Sequence, residues 1–325
     1  MALRRQLVAP VLGLAALALA GCKTVPAPDP ARAISDGAFG PPAGVEWVDT
    51  IRSSRASEWG QFERLSGIDT LEDGRLFVAD QGTRRVHWWE TDGTYAGQLD
   101  TPGSEMRPLD LAHAGFQLFV LDRVGNQILR FNRDGAFRDV YLPLEGLSAR
   151  GPLEPSALAV DRDGRLAIAD LSRSEVLVTS PFLDLEVRVG EWGSFEGQLN
   201  EPRGVAFGRE GVLYVSDRGN RRVQAFDRTG FLLAASKSVD DPEPDFIAPT
   251  GVACDWRGNV FVADTGAARV KVLTPDLKPI LEIGGEGPLA SQLKRPVDCV
   301  VSDDGLLYVS DPGADQVVVY RLVYP

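Results

Sequence analysis

Nine aspartates in this chain stand where their type and spacing could do chemistry. Six of them, Asp80, Asp122, Asp170, Asp217, Asp264 and Asp311, each close a short apolar run such as Leu76-Phe77-Val78-Ala79-Asp80 or Leu213-Tyr214-Val215-Ser216-Asp217. Consecutive members lie 42, 48, 47, 47 and 47 residues apart. A carboxylate so placed could ligate a cation, or could accept backbone N–H groups from the turn that follows. Recurrence in every copy favours the turn, because a functional site needs one copy and a frame needs all six. Three further carboxylates break the pattern. At the position held by Gly67, Ala157, Gly204 and Gly251 in four copies, the second and sixth copies carry Asp110 and Asp298, and Asp69 stands two positions after Gly67. If these runs surround an axis, the three carboxylates face a channel, where they would bind a cation or hydrate a water-filled space. With no histidine joining them, water is favoured.

Other chemistries are poorly supplied. Only His87 and His113 occur, and a zinc site wants three or four N/S donors. His87, beside Trp88 and Trp89, reads as a surface or interblade residue. Cys254 and Cys299 fall on first runs of adjacent copies but two residues out of register, so buried free thiols are favoured over a disulfide. Neither has an evident His partner for nucleophilic work. Gly284-Gly285-Glu286-Gly287 leads into Pro288 and a new copy instead of a helix, so it reads as a loop and not a phosphate cradle. No catalytic residue, metal or cofactor is assigned. Binding chemistry is better supplied. Arg84, Arg85, Arg218, Arg221, Arg222 and Arg269 follow the aspartate-closed runs, and Arg203 follows a proline that opens a copy. They could form a partner-binding surface, or could close turn hydrogen bonds copy by copy, as the equivalent positions of Arg85, Arg222 and Arg269 suggest.

The elements that must place these residues are short strands. A period near 47 filling residues 44–325 signals propeller blades or solenoid units. In the cleanest copy, residues 202–207, 212–217, 221–226 and 231–235 are β-rich runs separated by turn residues. That pattern is a four-stranded antiparallel meander, and a radial sheet of this kind is a propeller blade. Asp-Gly pairs at 73–74, 92–93, 134–135, 163–164 and 304–305 supply the positive φ of tight hairpins. The expected fold is all-β, a six-bladed β-propeller with four-stranded blades and the first strands innermost. After Asp311 only one strand's worth of chain remains, so residues 45–51 are expected to complete the last blade and hide two sheet edges.

The segments Pro202-Arg203-Gly204-Val205-Ala206, Leu213 to Asp217 and Asn220-Arg221-Arg222-Val223 resemble the NHL repeat. The resemblance covers residues 44–325 and is strongest in blades one, four and five. Blade three departs most, with Leu171-Ser172-Arg173-Ser174-Glu175 where the arginine should sit. Six-bladed relatives of this type include peptidyl-hydroxyglycine lyases with a metal site of several histidines, which two histidines cannot rebuild.

Ahead of the repeats, residues 1–21 have the parts of a secretory signal: Arg4 and Arg5, an apolar run from Leu7 to Ala20, and small residues before Cys22. Leu19-Ala20-Gly21-Cys22 resembles the bacterial lipobox, which implies acylation of Cys22 and stable membrane anchoring. Residues 22–43, rich in Pro and Ala, suit a tether. Lys23, where an aspartate would retain an enteric lipoprotein at the inner membrane, favours the outer membrane. A formal charge of −12 without a basic, aromatic-interleaved stripe opposes nucleic acid. The expectation is a non-catalytic, lipid-anchored envelope propeller that binds a protein as scaffold or sensor. A metal-assisted lyase or lactonase using Asp69, Asp110 and Asp298 is one alternative, and a glycan or peptidoglycan binder using Trp88 or Trp256 is another.

Overall fold

The computed structural model describes residues 40–52, 62–100, 106–237, 245–287 and 289–325. Cys22, the tether up to residue 39 and the acidic connector 238–244 lie outside the described residues. Six four-stranded antiparallel sheets follow one another along the chain, and the first strands of successive blades neighbour each other around an axis, with blade six meeting blade one. Second strands such as Leu76–Asp80, Leu166–Asp170 and Val260–Asp264 are buried at every residue. Blades cover both of their faces, so they read as continuous apolar runs and not as alternation. Outer strands such as Leu185–Val189 keep exposed positions.

Hydrophobic packing is divided among six seams, one between each pair of neighbouring blades. Ala169 and Val178 of blade three meet Val215 and Phe226 of blade four, and Phe77 and Val86 of blade one meet Val120 and Phe131 of blade two. The closing seam joins Val317 of blade six to Leu76 and Val78 of blade one. Closure uses the expected clasp. The strand Gly44–Arg52 pairs antiparallel with Gln316–Val323, from Gly44 opposite Val323 to Arg52 opposite Gln316, with a bulge between Trp47 and Asp49. It is one residue longer at each end than the sequence suggests.

The six repeated aspartates are all buried and serve as bolts. Asp80 accepts N–H groups from Glu63 and Arg64 at 2.9 Å and from Gly82 at 2.9 Å, which ties the connector before the first strand to the end of the second. Asp311 does the same with Lys294, Arg295 and Gly313, and Asp122 with Arg107, Val124 and Gly125. A hydrogen bond to a charged group contributes about 1.5–3 kcal/mol, so each bolt is a substantial local term. Hydroxyls add links across the seams: Ser66 donates to the Pro108 carbonyl, Ser156 to that of Pro202, Thr265 to that of Pro296, and Ser310 to that of Ser66.

Candidate functional site

The first strands leave an axial cavity of about 480 Å3, lined among others by Asp69, Asp110, His113, Arg203, Cys254 and Asp298. Glycines set its shape. A Cβ on Gly67 would lie 2.6 Å from the Asp110 Cα, and one on Gly251 would lie 2.0 Å from an Asp298 oxygen. The glycine of one blade therefore makes room for the aspartate of the next.

Asp110 and Asp298 line this channel as the sequence implies, and each also accepts backbone N–H groups. Asp110 accepts the Leu158 N–H of blade three at 2.7 Å with one oxygen and the Leu111 N–H at 2.9 Å with the other. Asp298 accepts the Ile68 N–H of blade one at 3.0 Å. Burial pushes the Asp110 carboxyl up to about 7 against those two N–H bonds, with help from the Asp69 charge. Burial and then Asp110 hold Asp298 well above the usual carboxylate range. Asp69 differs. It accepts the Thr70 N–H at 2.8 Å and the His113 Nδ1–H at 2.9 Å. Burial alone would lower the His113 pKa, but the Asp69 carboxylate overrides it and raises it to about 9. The sequence reading left the channel carboxylates without a histidine, because His113 lies three residues past the comparison position and only the convergence of first strands brings it to Asp69. Among the described residues no group of three or more His, Cys, Asp or Glu side chains is arranged to hold a metal ion.

Cys254 and Cys299 are free thiols, and burial pushes both far above the usual range. His87 is not at the surface. It is buried against Phe62 and Trp89, its Nδ1 is 3.1 Å from the Tyr95 hydroxyl, and burial lowers its pKa to about 4. Trp88 stacks on Phe77 beneath Arg75, while Trp256 is exposed.

The arginines separate into two kinds. Arg222 is only 2% exposed, so its place among partner-binding residues is corrected. Its Nε donates to Asp217 at 2.9 Å and its other nitrogen to the Phe195 and Gln198 carbonyls at 2.6 and 2.9 Å. Arg85 and Arg269, at the equivalent position, are exposed and pair with Gln98 and Glu282. In blade three Arg173 takes over the structural task, donating to Asp170 at 2.9 Å, so the departing sequence keeps the bolt. Arg218 pairs with Glu201 at 2.8 Å, Arg221 reaches the Ile247 carbonyl, and Arg84 occupies a left-handed turn position with φ 60°. Arg203 is exposed at the channel rim, where partial burial and then the nearby Arg218 charge lower its pKa.

On the same loop face, formed by the second-to-third-strand turns and the blade connectors, the structure exposes apolar side chains that sequence reasoning missed. Trp192 is 74% exposed and Phe195 is 67% exposed, with Ile247, Val124 and Leu289 also exposed. Asn220 donates to the Gly193 carbonyl at 2.8 Å, which places the Trp192 connector beside the Arg218 to Arg222 turn. The available signal was that Trp192 and Phe195 lie in a glycine-bearing connector, outside any strand that could bury them.

These features define a six-bladed all-β propeller with four-stranded antiparallel blades, an axial cavity and an arginine- and aromatic-bearing loop face. Within it, residues 199–226 match the NHL repeat family model. The chain is 30% identical over 212 residues to NHL repeat-containing protein 3 of Mus musculus, covering 60% of this chain and 59% of that protein. It is 25% identical over 289 residues to the E3 ubiquitin-protein ligase NHLRC1 of Rattus norvegicus, covering 82% of this chain and 69% of that one. The chain thus spans between half and three fifths of the NHL repeat-containing protein 3 sequences it matches. Among solved structures, a streptogramin B lyase superposes with a TM-score of 0.62 at 14% identity, covering 85% of this chain and 99% of that one. A gluconolactonase from Xanthomonas campestris superposes with a TM-score of 0.63 at 22% identity, covering 87% and 99%. Both likenesses concern the fold alone.

Proposed function

We infer that the protein is a lipid-anchored, non-catalytic propeller of a bacterial cell envelope, and that its loop face binds a protein partner. The observation that carries the reading is the pairing of exposed Trp192 and Phe195 with Arg203 and Arg218 on one face. Aromatic residues and arginine are enriched at protein interfaces and dominate their energetics, whereas a solvated loop face has no use for a largely exposed tryptophan. The partner surface would offer an apolar pocket flanked by carboxylates. The lipobox at Leu19-Ala20-Gly21-Cys22 supports anchoring, and the charge of −12 disfavours nucleic acid. A photo-crosslinking side chain at Trp192 in cells should capture one reproducible protein, lost on Arg203→Glu and absent when the probe replaces Phe182. Equal capture from both positions would remove the reading. Mass spectrometry of the mature protein should find thioether-linked diacylglycerol on Cys22; an unmodified Cys22 would remove the anchor.

An enzymatic reading has one supporting observation: a carboxyl with a pKa of about 7, Asp110, in a cavity of ligand size. It requires turnover of a lactone or related small molecule by wild type that disappears in Asp110→Asn, and wild type inert toward such substrates would discard it.

A further inference from the structure

The opposite face carries a second apolar feature. One exposed aromatic stands at a hairpin tip in each of four successive blades: Phe116 between the first and second strands of blade two, Phe182 between the third and fourth of blade three, Phe231 at the same hairpin of blade four, and Trp256 between the first and second of blade five. Their exposures are 50, 87, 71 and 43%. All of these hairpins point away from the face that carries Trp192 and Arg203, because both turn types lie at the opposite strand ends.

The same face is where the chain toward Cys22 departs. The strand Gly44–Arg52 begins opposite Val323, at the hairpin end of blade six, and ends opposite Gln316 at the loop-face end. Just before it, the Gly40 carbonyl accepts a hydrogen bond from Arg257 at 3.1 Å. The Arg257 guanidinium lies over both Trp256 and Tyr324, at 4.7 and 4.0 Å from the ring centroids. The chain therefore leaves beside one of the four aromatic tips. Some carboxylates near the tips are paired locally, Asp163 with Arg228 at 2.7 Å and Asp276 with Lys278 at 2.6 Å, and Asp227 accepts the N–H groups of Thr229 and Phe231, while Asp184 beside Phe182 is exposed.

We propose that this hairpin face rests on the lipid bilayer, its aromatic tips seated in the interfacial region, so that the loop face points away from the membrane toward its partner. The proposal rests on the lipid-anchor reading. Aromatic rings with a polar or cationic neighbour suit the headgroup boundary, where one end of the residue is apolar and the other wet. Seventeen residues lie between Cys22 and Gly40, a reach of at most about 60 Å, which keeps the face at an effective concentration on the order of millimolar near the lipid. At that concentration four weakly inserting side chains suffice without a cationic patch.

The test is immersion depth. Nitroxide labels at Phe182→Cys, Phe231→Cys and Phe195→Cys are placed on protein held in phosphatidylcholine vesicles through Cys22, by its own lipid or, if mass spectrometry finds none there, by a maleimide lipid. Labels at 182 and 231 should show a several-fold rise in the ratio of oxygen to aqueous nickel-complex collisions, while the label at 195 stays in water. Labels at 182 and 231 remaining in water, immersion of 195 instead, or immobilisation of 182 by added protein without vesicles would overturn the proposal. The last result would assign the face to a second copy of the chain. An absent lipid on Cys22 with immersed hairpin labels would sink only the anchor reading. Circular dichroism of each variant should match wild type, since all three sites are exposed.

Discussion

Replacing Arg222 by alanine separates a structural arginine from its look-alikes. Arg222 is buried and makes three hydrogen bonds, one to the Asp217 carboxylate and two to carbonyls of the connector that carries Trp192 and Phe195. Removal leaves Asp217 buried with Asn220, Gln224 and the Asn200 N–H, and takes one of two donors from each carbonyl, Phe195 keeping the Gln198 N–H and Gln198 keeping the Gln224 amide. Breaking a buried ion pair costs about 3–5 kcal/mol, and the remaining polar partners place this case near 3 kcal/mol. Arg269→Ala, at the equivalent position, deletes an exposed pair with Glu282 and should cost about 0–1 kcal/mol. Urea unfolding of both variants, compared by midpoint shift at constant slope, measures the difference. Burial already raises the Asp217 pKa, and loss of Arg222 raises it further. A carboxylate whose folded pKa is raised destabilises the fold once it ionises and is relieved as pH falls through that pKa, so the deficit should shrink as the solution is acidified toward the unfolded carboxylate range. Costs within about 1 kcal/mol of each other, or a deficit that grows in acid, would refute the reasoning.

Three further outcomes follow from the channel. With a folded pKa near 7 against an unfolded value near 4, Asp110 takes up a proton on folding in that window, so stability should fall as pH rises from 4 to 7 and level off above. Asp110→Asn, which still accepts the Leu158 N–H, should remove up to about 1.4 kcal/mol per pH unit of that slope in urea titrations at several pH values. Proton NMR of the only two histidines should give one titration near pH 9 for His113 and one near pH 4 for His87, and Asp69→Asn should bring the first down. Because the His113 pKa is raised, its stabilisation is complete below about 6.5 and is lost as pH climbs through 9. Gly251→Ala should destabilise by about 1–3 kcal/mol in thermal or urea unfolding, because its Cβ overlaps both the Asp298 side chain and its Cα.

The frame was legible because repetition exposes it: six aspartate-closed strands and regular turn glycines specify blades, and the shortage of a last strand specifies the clasp. Even the exchange of Gly for Asp at one position was visible, although its cause was not. Gly67 and Asp110 look like alternatives in an alignment of blades, yet in space they are complements across a seam. Arg85, Arg222 and Arg269 share a sequence position but not a burial: in blade four the Phe195 and Gln198 carbonyls of the preceding connector accept from Arg222, whereas Arg85 and Arg269 are exposed. His113 and Asp69 belong to different blades, and their contact depends on how the first strands converge. Trp192 and Phe195 were overlooked for the opposite reason: an apolar residue in a connector can be covered or bare, and local sequence does not say which.

The loop face is proposed to hold a protein partner around Trp192. Once the Trp192 crosslink has supplied that partner in purified form, its dissociation constant should be measured against wild type and Trp192→Ala at physiological salt. A central interface tryptophan is worth at least about 2 kcal/mol, so binding should weaken roughly thirtyfold or more. Affinity unchanged within about twofold, with the fold intact, would contradict the account.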